Sequence, residues 1–285
     1  MLEIQNVCKQ YPGTNKQSLS NINLTIEDGE FICIVGPSGC GKTTLLNLVA
    51  GLELPTEGTL MLDGQPIIGP GADRVVMFQE AALYPWKNVL ENVMLGMEFI
   101  KVPKEEREKR AKHYLNMVHL GEFTDYPIHQ LSGGMKQRVA LARALSMDSK
   151  LLLMDEPFSA LDKQTTNILR GELEQIWMKQ GKTILFVTHS VEEAVYFADR
   201  IIVLSEHPGK IKEIFPCSLS RPRNTRTPEF VTLRHQILDA VKREVMEVEK
   251  SDYDEMKTTK HIYDNKHEKH VKHEKTRGEQ NEQGK

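Results

Sequence analysis

Apolar positions along the chain form two kinds of run. Ile22, Leu24 and Ile26 alternate with polar neighbours, the period-two pattern of a half-buried antiparallel strand. Leu60-Met-Leu runs into Asp63-Gly64, a strand closed by a turn. Phe31 to Val35 is unbroken by polar residues, the pattern of a strand covered on both faces. Leu151 to Met154, Thr183 to Val187 and Ile201 to Leu204 have the same character. Helix-period stretches lie between them: Lys42 to Ala50 (stopped by Gly51), Gly134 to Leu145, Thr165 to Lys179 and Val191 to Ala198. Buried strands alternating with helices predict an α/β fold with a parallel sheet core, to which the first part of the chain adds antiparallel sheet.

From about Trp86 to His129 the alternation stops. Lys104-Glu-Glu-Arg-Glu-Lys-Arg-Ala-Lys112 leads into Tyr114, Leu115, Val118 and His119, a charged and then amphipathic helix. This predicts a helical subdomain inserted into the core, over about 86–150 counting the helix that follows. The main domain is expected over 1–215. Ser220 to Thr227 is polar and reads as a linker. Thr227 with Pro228 marks a helix start. Phe230, Leu233, Ile237, Val241, Val245 and Val248 then form one apolar stripe, a helical extension over 216–249. Residues 250–285 are dominated by Lys, Glu, His, Asp and Gln and are expected to be disordered. His261, His267, His270 and His273 lie there; a solvated tail is the simpler reading of them than metal sensing.

Composition narrows the class. Lys plus Arg number 37 against 40 Asp plus Glu, a net charge of -3, so no basic footprint points to nucleic acid. No apolar run approaches the roughly 18 to 20 residues of a bilayer span. The start, Met1-Leu-Glu-Ile-Gln-Asn, does not read as a signal peptide. Cys8, Cys33, Cys40 and Cys217 have neither metal-site spacing nor a disulfide pattern. The expectation is a soluble cytoplasmic protein.

Gly36-Pro-Ser-Gly-Cys-Gly41-Lys42-Thr43-Thr44 follows the buried run Phe31 to Val35 and opens a helix. Glycines at these positions let the backbone curl so that successive N–H groups face one anion at a helix N-terminus. Lys42 is expected to reach the β- and γ-phosphates, and the Thr43 hydroxyl to ligate Mg²⁺. Cys40 sits where a helix dipole lowers a thiol pKa, although a small residue tolerated in the loop reads more simply. Asp155 and Glu156 follow the run Leu151 to Met154. Asp155 is expected to hold the Mg²⁺ shell and Glu156 to orient, or take a proton from, the attacking water. Leu131-Ser-Gly-Gly-Met-Lys-Gln-Arg138 starts another helix with Ser132 as its cap. It too presents free N–H groups and a positive dipole end. A second phosphate-ready helix end suggests service to a partner subunit's nucleotide.

Together these residues resemble the nucleotide-binding subunit of an ATP-binding cassette (ABC) transporter. The matching elements, in order, are Gly36 to Thr44, Gln79, Leu131 to Arg138, Asp155-Glu156, Ser159-Ala-Leu-Asp162 and His189. The resemblance implies a P-loop NTPase cassette: a RecA-like parallel core, an N-terminal antiparallel β subdomain and the inserted helices. It implies ATP and Mg²⁺, with Tyr11 stacking on adenine and with Gly36, Pro37, Ser38, Gly39, Cys40, Gly41, Lys42, Thr43 and Thr44 around the phosphates. Gln79 would contact metal and water, and His189 the γ-phosphate. A head-to-tail dimer, homomeric or with a paralogous cassette, would place Ser132, Gly133 and Gly134 on the partner's nucleotide and Asp162 in the interface.

Val76-Met-Phe-Gln79-Glu-Ala-Ala-Leu83-Tyr84-Pro85-Trp86 and Ser205-Glu-His-Pro208-Gly209-Lys-Ile are similar to the importer subfamily for nitrate, sulfonates and taurine. That likeness implies separate transmembrane permease subunits, an extracytoplasmic solute-binding protein, and a peripheral place on the cytoplasmic face of a prokaryotic plasma membrane. Leu83, Tyr84 and Trp86 either line a groove for a permease helix or pack inside the helical subdomain. Rival readings are an importer for polyamine, methionine or phosphate, and a soluble non-transport ABC ATPase.

Overall fold

The computed structural model describes residues 1–246. Met1–Val241 forms one compact unit. The expected tail, its histidines and Val248 lie outside the described residues.

The chain begins with β1 (Leu2–Gln10) and β2 (Gln17–Ile26), which pair antiparallel, with Leu2 opposite Ile26 and Ile4 opposite Leu24. Ile22, Leu24 and Ile26 are buried, as their alternation requires. The apolar run Phe31–Val35 is β3, buried at every position. After it come α1 (Lys42–Ala50), β4 (Glu57–Leu62), β5 (Gln65–Pro66) and β6 (Arg74–Met77). Strand order β2-β1-β4-β5 makes the antiparallel sheet.

The interruption after β6 is helical: α2 (Val89–Phe99), α3 (Lys104–Met117), two short 3₁₀ turns and α4 (Gly133–Ser146). Asn88 and Glu91 cap α2 reciprocally, side chain to backbone in both directions. The core then resumes with β7 (Leu151–Asp155), α5 (Lys163–Gln180), β8 (Thr183–Val187), α6 (Val191–Phe197), β9 (Arg200–Leu204) and β10 (Ile211–Pro216). The second sheet has the order β10-β9-β3-β8-β7-β6, parallel throughout except for β10 on its edge.

The unbroken apolar strands divide their side chains between two cores. Phe31, Cys33, Met154, Phe186 and Val203 face the cluster built with the helices of the insertion and with α5 and α6. Ile32, Ile34, Leu153, Val187 and Leu204 face α1 and the antiparallel sheet. Phe31 stacks on Phe197 at 5.0 Å, and Phe186 lies 5.4 Å from the same ring. These contacts fix α6 against β3.

Residues 220–227, expected as a linker, are instead an anchor. Arg223 is buried and donates to the carbonyls of Val195 and Ala198 at 2.8 and 2.7 Å, and to Cys217 at 2.9 Å. It thereby satisfies carbonyls left free at the C-terminus of α6. Arg221 bonds Glu174 and Asp199 and lies 4.2 Å from the Trp177 ring centroid. Composition alone reads such arginines as solvated. A last helix, α7 (228–246), starts where expected, with Thr227 Oγ1 accepting from Phe230 N at 3.4 Å. Phe230, Ile237 and Ala240 join the main core, so this part of the extension packs with the cassette.

Candidate active site

Adjacent parallel strands β3, β8, β7 and β6 end side by side. Their C-terminal ends deliver the phosphate loop, His189, Asp155-Glu156 and Gln79 in turn. Such an edge is where open α/β sheets bind ligands. A cleft of about 470 Å³ opens there, lined by Ser18, Ser38, Gly39, Gly41, Lys42, Thr43, Thr44, Gln79, Glu156 and His189.

The loop is held from several sides. Gly41 has φ +93°, and a Cβ there would meet Leu19 Cδ2 at 2.6 Å, so glycine is required by both conformation and space. The N–H groups opening α1 have no carbonyl within the helix to bond. Lys42 is nearly buried, and its Nζ donates to the carbonyls of Gly36 and Pro37 at 2.9 and 2.7 Å. Its ammonium is thus kept at the centre of the loop. Gly36, Pro37 and Cys40 do not line the cleft; they shape the turn. Cys40 is fully buried, and burial pushes its thiol pKa up, with Lys42 only partly opposing it. The raised pKa goes against a thiol activated at the helix end and agrees with the simpler reading of Cys40 as a small residue accommodated in the loop.

Thr43 Oγ1 donates to Asp155 Oδ2 at 2.8 Å. Burial raises the Asp155 pKa, the Thr43 hydrogen bond lowers it, and the neighbouring Glu156 charge raises it again. A buried carboxylate beside a hydroxyl is a hard-oxygen pair that suits Mg²⁺, and a dication would offset the unfavourable charge burial. The residues fit the ion.

Glu156 adopts φ +47°, uncommon for a residue with a side chain. Its N–H donates to Val187 O at 2.9 Å, and its carbonyl accepts from Ser159 N and Oγ at 3.2 and 3.0 Å. These bonds hold the strained backbone and turn the carboxylate into the cleft. Gln79 Nε2 donates to Glu156 Oε2 at 3.2 Å, and His189 Nδ1 lies 3.2 Å from the same oxygen.

The remaining expected residues lie elsewhere. Ser132, Gly133 and Gly134 do not line this cleft; Ser132 caps α4, accepting from Met135 N at 3.2 Å, and with Gly133 is exposed. Asp162 caps α5 and is also exposed; the Thr165 hydroxyl bond holds its pKa down. Tyr11 stands beside the loop, its hydroxyl 2.9 Å from Glu53 Oε1 and 3.3 Å from Thr44 Oγ1, with Lys9 Nζ 5.0 Å from its ring centroid. Burial raises its phenol pKa.

Sequence reasoning missed three contributors. Ser18 lines the cleft from β2, with no local signal to mark it. Gly209 lies against the phosphate loop, where a Cβ would overlap the Cys40 carbonyl oxygen. Its motif was visible without a role. Arg143 on α4 donates to the carbonyls of Ala82 and Ala81, both at 2.9 Å, tying α4 to the segment after Gln79.

The family model for ABC transporters matches residues 19–159. An uncharacterized ABC transporter ATP-binding protein of Methanocaldococcus jannaschii is 52% identical over 247 residues, 86% of this chain and 92% of the relative. A taurine import ATP-binding protein of Pseudomonas putida is 47% identical over 213 residues, 75% of this chain and 81% of the relative. Among solved structures, an ATP-binding cassette in a dimeric post-hydrolysis state bound to ADP and Pi superposes with a TM-score of 0.70 at 35% identity, covering 77% of this chain and all of that one. With its parallel core, its antiparallel sheet and a cleft built from the phosphate loop, Gln79, Glu156 and His189, this chain belongs to the ABC transporter family and is one of its ATPases.

Proposed function

We propose that the chain is the ATP-hydrolysing subunit of an importer and energises uptake of a small solute of the nitrate, sulfonate and taurine class. The observation that carries the reading is the convergence of Lys42, Thr43, Gln79, Glu156 and His189 on one cleft. The identity with a taurine import ATP-binding protein supports the solute class.

In this reading the loop N–H groups and Lys42 bind the β- and γ-phosphates, and Tyr11 offers adenine the ring face away from Lys9. Thr43, Asp155 and Gln79 would hold Mg²⁺, which when bound neutralises charge on the phosphate oxygens. Glu156 orients the attacking water and accepts its proton. Gln79 and His189 fix the carboxylate from either side, and His189 steadies the γ-phosphate. Ser132 and Gly133, exposed, and Gly134, half-buried, all outside the cleft, close over the nucleotide of a second cassette, with Asp162 in the same interface. ATP binding draws the pair together, and hydrolysis with product release lets it open.

Closure reaches the membrane through the helical insertion. Trp86 is 75% exposed with Tyr84 packed edge-on against it at 5.4 Å, which supports a docking role for this aromatic pair, whereas Leu83 packs on the core. Permease helices would dock there, which places the subunit on the cytoplasmic face of the plasma membrane with a solute-binding protein on the other side. Among the described residues no helix is long and apolar enough to cross a membrane.

The test is reconstitution in vesicles with the permease and solute-binding protein encoded beside it. ATP-dependent accumulation of taurine, a sulfonate or nitrate supports the proposal. ATP turnover without capture by the permease overturns the importer reading, and uptake of an unrelated solute overturns the solute class.

A further inference from the structure

We propose that Thr188 and Glu193 are positioning residues for His189, and that Arg170 extends their hold to α5. The inference rests on the reading of His189 as a γ-phosphate contact.

The His189 side chain is 68% exposed, and a cavity of about 310 Å³ lies beside it, lined among others by Arg170, Thr188, Ser190 and Glu193. Packing therefore does little to hold the imidazole. Apart from the Nδ1 contact with Glu156 at 3.2 Å, its direction depends on the backbone of residues 188–190, and that backbone is tied at both flanks. Thr188 N donates to Ile34 O at 3.2 Å, which anchors it to the strand that ends in the phosphate loop. The Thr188 hydroxyl accepts from Ser190 N at 3.0 Å and donates to Glu193 Oε2 at 2.7 Å. Ser190 Oγ in turn accepts from Glu193 N at 3.3 Å. His189 is the exposed residue on a small closed ring of bonds.

The ring needs a side chain that both donates and accepts, and the Thr188 hydroxyl supplies both from a fully buried position. The second Glu193 oxygen accepts from Arg170 Nη2 at 3.0 Å, with both side chains about nine-tenths buried. A buried ion pair is a poor source of net stability, because desolvating the charges cancels much of their attraction. It does fix direction. Arg170 also reaches Glu192 Oε1 at 3.3 Å, and Arg234 Nη1 on α7 stands 3.9 Å from Glu192 Oε2. Arg170 stands on α5, whose first residue follows its cap Asp162 at the proposed dimer face. The ring thus links that face to the histidine through one arginine and one carboxylate.

The experiment measures steady-state ATPase and fluorescent-nucleotide affinity on the full chain. Thr188→Val, close in shape but lacking the hydroxyl, is expected to lower kcat about tenfold with KM and affinity within about twofold, and Thr188→Ser to restore it. Glu193→Gln is expected to lower kcat in the same sense and covers the case in which Thr188→Val fails to fold. In a His189→Ala background Thr188→Val should add almost nothing, whereas a purely structural role would add its full effect. Wild-type kcat in both Thr188→Val and Glu193→Gln, or full additivity, overturns the proposal while an impaired His189→Ala leaves the histidine's role intact. Wild-type kcat in His189→Ala overturns that role and this inference together.

Discussion

His189 Nδ1 lies 3.2 Å from Glu156 Oε2, although the two residues leave different strands and are far apart in sequence. Gln79 Nε2 bonds the same oxygen at 3.2 Å from a third strand. The carboxylate is therefore oriented by neighbours on both sides, with its own backbone locked by Val187 and Ser159. Glu156→Gln keeps the shape and loses the proton acceptor. Turnover is expected to fall by about 10² to 10⁴ while ATP binding persists. Size-exclusion chromatography with ATP should show an accumulated dimer; unchanged turnover would remove Glu156 from the chemistry.

Gly209 is a test of how the loop is braced. A methyl group there would collide with the Cys40 carbonyl, which is backbone and has little room to yield. Gly209→Ala should cost about 1 to 3 kcal/mol of stability and weaken nucleotide affinity. Thermal unfolding with and without ATP measures both, and a variant with unaltered affinity would show that the loop holds its shape without this brace.

Trp86 separates coupling from chemistry. Its exposure means that truncation should leave folding within about 0.5 kcal/mol of the wild type. Trp86→Ala is expected to keep the ATPase activity of the isolated subunit and to lose transport in the assembled system. If unfolding shifts sharply in denaturant instead, the side chain belongs to the subdomain core.

Cysteine labelling checks the sign of the Cys40 shift. Burial raises this thiol's pKa, so the reactive thiolate is scarcer near pH 8 than for a free cysteine. Peptide mapping after iodoacetamide should find Cys8, which is partly exposed, modified well before Cys40. Rapid modification of Cys40 at neutral pH would restore the helix-dipole reading.

Much of the site was legible because its signals are local. Lys42–Ala50 forms α1 with the boundaries its sequence predicts, and β3, β7, β8 and β9 coincide with the unbroken apolar runs to within a residue. Other elements escaped. β6 has only Arg74–Met77 and lies on a sheet edge, too short for periodicity to register. For α2 the signal was present in Asn88 and Glu91, a capping box overlooked among exposed aromatics. Arg221 and Arg223 carry no local mark at all, since their partners are carbonyls and carboxylates brought close by folding.

By itself the sequence determined the phosphate loop, the strands buried on both faces, the order of the motifs and hence the family. Those are short-range properties: backbone reach, side-chain period and turn chemistry act within a few residues. Tertiary structure decided which motifs share a site. The sheet order sets β3, β8, β7 and β6 side by side, so Lys42, His189, Glu156 and Gln79 meet while Ser132 and Asp162 stay outside the cleft. Strand order follows from burying both sheet faces under right-handed crossovers, a condition on the whole chain that no single segment encodes.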